Sequence, residues 1–109
     1  MDNKDFTYED FICYCLIYAT DANLEIEAHE KEYIEGLFGE SRYTRVLKAF
    51  NEDNDYQSVQ RMIALRDHFF KAVGGEDYLF EGIEKVFKSD GNYDQVEHQT
   101  MEILRKVFA

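Results

Sequence analysis

The sequence predicts an all-α fold, a single compact bundle of about six helices that takes in residues 1–109 as one domain. Three observations predict it. Proline is absent, where average usage near ~5% would give about five, so nothing interrupts long helices. No segment alternates apolar and polar residues over strand length between hairpin turns. The third is a unit that occurs twice, at Ala22–Glu30 and at Ser89–Glu97: a small residue, an oxygen-bearing residue, an apolar residue three places on, an acid, and a glutamate seven places beyond the first oxygen. Each copy lies between apolar runs and reads as helix, acidic loop, helix, so the bundle is expected to rest on two pseudo-repeated helix-loop-helix units. A chain of 109 residues with 45% hydrophobic and 16% aromatic residues has the material for one core.

The elements follow in order. Residues 1–6 read as loose. Thr7 and Asp10 form a capping arrangement for a helix over 8–21. From Phe11 to Ala19 nothing is charged and apolar groups run all the way round, which places this helix in the middle of the bundle. Cys13 and Cys15 stand two apart on it, point to different faces, and read as small buried core residues rather than a disulfide or a metal pair. After the first acidic loop, a helix over 28–38 turns Ile34, Leu37 and Phe38 inward and is stopped by Gly39. Ser41 starts a third helix over 42–51, with Tyr43, Val46, Leu47 and Phe50 on one side and Arg42, Arg45 and Lys48 on another. The polar run Asn51–Asp55 is a turn, with Asp55 as the next N-cap. The fourth helix, over 56–73, has the clearest helical period, in Val59, Met62, Ile63, Phe69, Phe70 and Val73, and Gly74-Gly75 ends it. A fifth over 76–88 presents Leu79, Ile83, Val86 and Phe87. The last, over 95–108, turns Met101, Leu104, Val107 and Phe108 inward.

Charge narrows the partners. With 23 acidic against 12 basic residues the net charge is −11, which repels phosphate backbones and anionic lipid and favours cations and basic protein faces. Neither nucleic acid nor membrane is expected as a partner. Met1–Asp5 is polar and the apolar run Phe11–Ala19 is too short to span a bilayer, so a cytoplasmic protein is expected. The basic row Arg42, Arg45, Lys48 reads as a solvated face stabilised by neighbouring acids. Its alternative is a docking face for an acidic protein or for a second copy of the chain, which leaves monomer and homodimer both open.

Two glutamates carry the functional signal. Glu97 lies on the helical line of Met101, Leu104 and Phe108, and Glu30 on that of Ile34, Leu37 and Ser41, so each is expected at the inner edge of its helix's first turn. A carboxylate taken out of water requires hydrogen bonds, a cation or a proton. Asp94 and Glu97 together make a capping pair; Glu27 is a poorer cap for Glu30.

The pattern Ala/Ser-Asp-Gly-x-apolar-acid-x-x-Glu, present as Ser89–Glu97 and more weakly as Ala22–Glu30 in a small acidic helical chain, resembles the TerB-like family, named for bacterial tellurite-resistance proteins. The resemblance covers nearly the whole chain in layout and rests on these two short motifs. It implies an all-helical bundle in which the two hairpins come together. It also implies acidic side chains that bind a divalent cation, calcium being the usual suggestion, in a bacterial stress-response or signalling setting without known catalysis. Carried across by position, the metal candidates are Asp90, Asp94 and Glu97 in the second loop and Asn23, Glu27 and Glu30 in the first. The first loop departs from the pattern at Asn23, which removes a charge, and at Leu24, where a glycine would permit positive φ.

Other chemistries find less support. Read as an EF-hand, the loop from Asp21 has Ile26 and the loop from Asp90 has Gln95 at the position where the sharp turn needs glycine. His29 and His98 adjoin Glu30 and Glu97 but diverge from them by about 100° on a helix, and with His68 they read as surface or boundary residues. There is no nucleophile elbow, no phosphate-cradling glycine loop and no cysteine with a base nearby, so no enzyme is expected. Two readings stand: a divalent-cation-binding domain, and a helical protein-interaction module whose acidic loops are only caps.

Overall fold

The computed structural model describes residues 2–22, 28–70 and 94–107. Its axis is helix α1 (Tyr8–Ala22), around which α2 (Ala28–Phe38), α3 (Glu40–Glu52), α4 (Asp55–Phe70) and α5 (Asp94–Val107) are arranged, and every one of the four packs on α1. The described residues form helices and no strands. The radius of gyration of 12.8 Å matches the roughly 13 Å expected of a compact domain of this length. The fifth helix read over 76–88, the end of the fourth after Phe70 and the stop at Gly74-Gly75 lie outside the described residues.

The reason α1 sits in the centre is written in its side chains. Phe11 through Ile17 are all buried, as is Ala19, and a helix apolar on every side gains most when covered on every side. The remaining helices each supply one stripe: Ile34 from α2, Val46 and Ala49 from α3, Met62 and Leu65 from α4, Leu104 from α5. Phe11 stacks on Phe69 with ring centroids 5.8 Å apart, and Tyr14 meets Phe50 edge-on at 5.6 Å. Cys13 and Cys15 are buried free thiols, as their spacing led us to expect.

The helix ends show where local chemistry was legible. Thr7 and Asp10 form the expected reciprocal cap of α1: Thr7 N–H donates to Asp10 Oδ2 at 3.1 Å and Asp10 N–H to Thr7 Oγ1 at 3.2 Å. Gly39 separates α2 from α3 alone. It adopts φ +86°, its N–H closes the last turn of α2 on the Glu35 carbonyl at 2.9 Å, and its carbonyl accepts the Tyr43 N–H of α3 at 3.0 Å.

Three expectations need correction. The third helix starts at Glu40, so Ser41 is its exposed second residue and does not continue the line of Glu30 on α2. The cap of α4 is Asn54 rather than Asp55. Asn54 Oδ1 accepts the Gln57 N–H at 2.8 Å and Gln57 Oε1 accepts the Asn54 N–H at 2.9 Å, a reciprocity that Asp55, one place further on, is not positioned to make. Residues 2–6 are not loose: Asn3–Asp5 form a 3-10 turn and Phe6 is buried.

Candidate functional site

The six acidic and amide positions singled out from the sequence divide between described and undescribed segments. Glu97 falls in the first turn of α5 and Glu30 in the first turn of α2, as the sequence reading has them, whereas Asp94 is the first residue of α5 and not the cap before a helix starting at 95. Asn23, Glu27 and Asp90 lie outside the described residues, and so do the side chains of Glu30, Asp94 and Glu97. Among the described residues no three His, Cys, Asp or Glu side chains come together as a metal-holding group.

What the described residues do bring together is two polar networks sunk into the bundle. In the first, Asp10 is wholly buried. Its Oδ1 accepts from Arg45 Nη2 at 2.8 Å and Arg42 Nε at 3.1 Å, and its Oδ2 from Arg45 Nη1 at 3.0 Å and the Thr7 N–H at 3.1 Å. A carboxylate has about four lone-pair positions, and all are taken. Burial alone would raise the Asp10 pKa; the bonds from Arg45, Thr7 and Arg42, with the charge of Arg45, outweigh it and hold the group below the ordinary aspartate value. Asp10 is therefore a fixed anion with no free lone pair to accept a substrate proton. Burial, assisted by the nearby Asp10 charge, pushes the Cys13 thiol up to about 12, and burial raises Cys15 well above the ordinary range. Neither thiol has the character of a nucleophile.

The second network joins α1 to the α3–α4 corner. Tyr14 Oη lies 2.7 Å from Asp53 Oδ2 and 2.9 Å from Ser58 Oγ. A carboxylate only accepts, so the phenol proton goes to Asp53 and Ser58, 2% exposed, donates its own. Arg61 closes the set with Nε 2.8 Å from Asp53 Oδ2, while its guanidinium carbon stands 5.1 Å from the centroid of Phe6 and 5.9 Å from that of Tyr14. Beside it, Asn3, Asp53, Tyr56, Gln60, Arg61 and Ala64 line an open depression. Tyr56 on its rim is 71% exposed.

Sequence reasoning recognised the arginine row but not its target. Arg42 and Arg45, 35% and 45% exposed, point their heads at a buried acid on another helix, while Lys48 is exposed. The signal was available: Asp10, Cys13, Tyr14 and Ile17 fall on one helical line, and that line is entirely buried. Ser58 likewise shares a line with Met62 and Leu65, all three buried. Asp53 and Arg61 carry no comparable signal, because their partnership depends on how the corner between α3 and α4 turns.

No protein-family model, no curated protein and no solved structure matches the chain. No helix among the described residues is long and apolar enough to cross a membrane.

Proposed function

We propose that the chain is a non-enzymatic, TerB-like helical domain of a bacterial stress-response system, which takes up a divalent cation such as calcium between its two acidic loops in the cytoplasm. The ligands in this reading are Asp90, Asp94 and Glu97 from one loop and Asn23, Glu27 and Glu30 from the other, on two pseudo-repeated hairpins of a bundle of about six helices. The observation that carries it is directional. Ile34 is buried and Leu37 half-buried on α2, and Leu104 is buried and Met101 half-buried on α5. The helical lines to which the sequence assigns Glu30 and Glu97 therefore lead into the core from two helices that both pack on α1. In this reading the two loops approach each other, so that their carboxylates repel, and a cation relieves that repulsion most directly.

Calorimetric titration of metal-stripped protein with calcium, magnesium, manganese and zinc tests the proposal. Saturable binding that disappears on Asp90→Asn with Glu97→Gln is expected. Absence of heat from every ion at millimolar concentration would remove the cation and leave the second reading, a protein-interaction module with capping glutamates, for which the exposed ring of Tyr56 beside an open depression speaks.

A further inference from the structure

Residues 2–6 make a strap that is folded within itself. Asp5 N–H donates to the Asp2 carbonyl at 2.9 Å, Phe6 N–H to the Asn3 carbonyl at 3.2 Å, and Asp2 N–H to Asp5 Oδ2 at 3.1 Å. Helix α1 does not depend on the strap for its cap, since Thr7 and Asp10 cap each other. The strap meets the bundle through Asn3, whose Oδ1 accepts from Arg61 Nη1 at 3.2 Å, and through Phe6, 5% exposed, which lies edge-on to Tyr14 at 5.8 Å and against the Arg61 guanidinium. Asp2 to Asp5 and Thr7 are exposed. The seat of Phe6 thus has an aromatic floor and a cationic wall, and Arg61, which forms that wall, lines with Asn3 and Tyr56 the neighbouring depression.

We propose that this seat is a recognition pocket for a segment of a partner protein bearing an aromatic side chain three residues after an Asn or Gln, and that residues 2–6 are a resident self-ligand that the partner displaces. The strap itself displays the chemistry the pocket accepts: a ring against Tyr14 and Arg61, and a side-chain amide oxygen on the Arg61 head. Leaving costs the strap little hydrogen bonding, because its internal bonds travel with it and the Asn3–Arg61 bond is exposed, where water replaces the partner. Arg61 keeps Asp53 throughout, so no buried charge is orphaned. What opposes departure is the burial of one ring, which an incoming aromatic restores. Tyr56, which also lines the depression and is 71% exposed, gives the incoming segment a second apolar contact.

The test uses full-length Phe6→Ala protein and the capped peptide Asp-Asn-Lys-Asp-Phe-Thr, followed by amide chemical shifts. The variant should bind the peptide, with shifts at Tyr14 and Arg61, at least about tenfold more tightly than the wild type, whose pocket is free only in the fraction of molecules with the strap open. The same peptide with Ala for Phe should not bind. A folded variant that ignores the peptide, or equal binding by both proteins, would overturn the proposal. So would a wild-type dimer that Phe6→Ala dissolves, since that would make the strap a link exchanged between copies. Should the variant fail to fold, relaxation dispersion on the Phe6 ring of the wild type decides: the ring must exchange with a solvated minor state that leaves the amides of Phe11 to Ile17 unmoved. A Phe6 ring that leaves its seat only when those amides open as well would make the strap part of the bundle's single cooperative unit and end the proposal.

Discussion

Arg45 grips Asp10 with both prongs of its guanidinium, Nη2 to Oδ1 at 2.8 Å and Nη1 to Oδ2 at 3.0 Å, across 35 residues of sequence and from a position 45% exposed to one that is wholly buried. The asymmetry decides what mutation does. An arginine that loses Asp10 swings into water, whereas an Asp10 that loses both arginines remains buried and charged. Arg45→Ala should therefore cost about 1–2 kcal/mol, since Arg42 remains and solvent already screens the pair. Arg42→Ala with Arg45→Ala should cost about 3–5 kcal/mol, more than the two singles summed, as measured by urea unfolding.

The same pair sets an acid limit. Asp10 titrates lower folded than unfolded, because Arg45, Thr7 and Arg42 outweigh the burial that would raise it. Its stabilisation is therefore complete above the unfolded aspartate value, near 3.9, and is lost as pH falls through the lower folded value. Unfolding free energy followed from neutral pH downward should decline below about pH 4, and Asp10→Asn should flatten that part of the curve while lowering the neutral plateau. An unchanged acid limb in the variant would assign the loss to other carboxylates.

Two glycines three residues apart should respond with opposite signs. Gly39 holds φ +86° and ψ 149°, with nothing within 4 Å of a would-be Cβ, so Gly39→Ala should cost about 1–3 kcal/mol from the backbone alone. Gly36 is exposed inside α2 with equally open surroundings, and Gly36→Ala should stabilise by about 0.5–1 kcal/mol. Thermal melts of the two variants suffice to check both.

Cys13 and Cys15 should be inert in the folded protein. A thiol moved from 9.0 to about 12 has about a thousandfold less thiolate at neutral pH, before access is counted. A disulfide reagent at pH 8 should find no reactive thiol until denaturant is added, and then two. One fast thiol in the native protein would mean that α1 opens locally.

Tyr14→Phe removes the donor to Asp53 and the acceptor for Ser58 together. Asp53 retains Arg61, but Ser58 is left buried with an unused hydroxyl, so a loss of about 1–3 kcal/mol is expected. Ser58→Ala in the Tyr14→Phe background should recover part of it, which a double-mutant cycle by chemical denaturation reads directly.

How far the sequence could be read depended on whether the cause was local. The Thr7–Asp10 cap, the stop at Gly39 and the central burial of Phe11–Ile17 depend on spacing within a turn or two of helix, and they stand as expected. The Asn54–Gln57 cap went unread because Asn54 and Asp55 are adjacent good caps, and only the turn decides which of them is used. Asp10 with Arg42 and Arg45, and Tyr14 with Asp53 and Ser58, connect residues more than thirty apart, so they exist only once the helices have docked. For the candidate cation ligands, the sequence offers identities and helical phase alone; any approach of one loop to the other would be a property of the assembled bundle.

The order of the helices along the chain has a consequence for biosynthesis. Helix α1 leaves the ribosome before the other described helices, yet the cover that they give it is not complete until α5 brings Leu104 home. For most of translation the nascent chain carries a greasy rod whose proper wrapping has yet to be made. Growing cells would therefore have to shield this polypeptide while it is being made, and interrupted synthesis should yield sticky fragments rather than small stable ones.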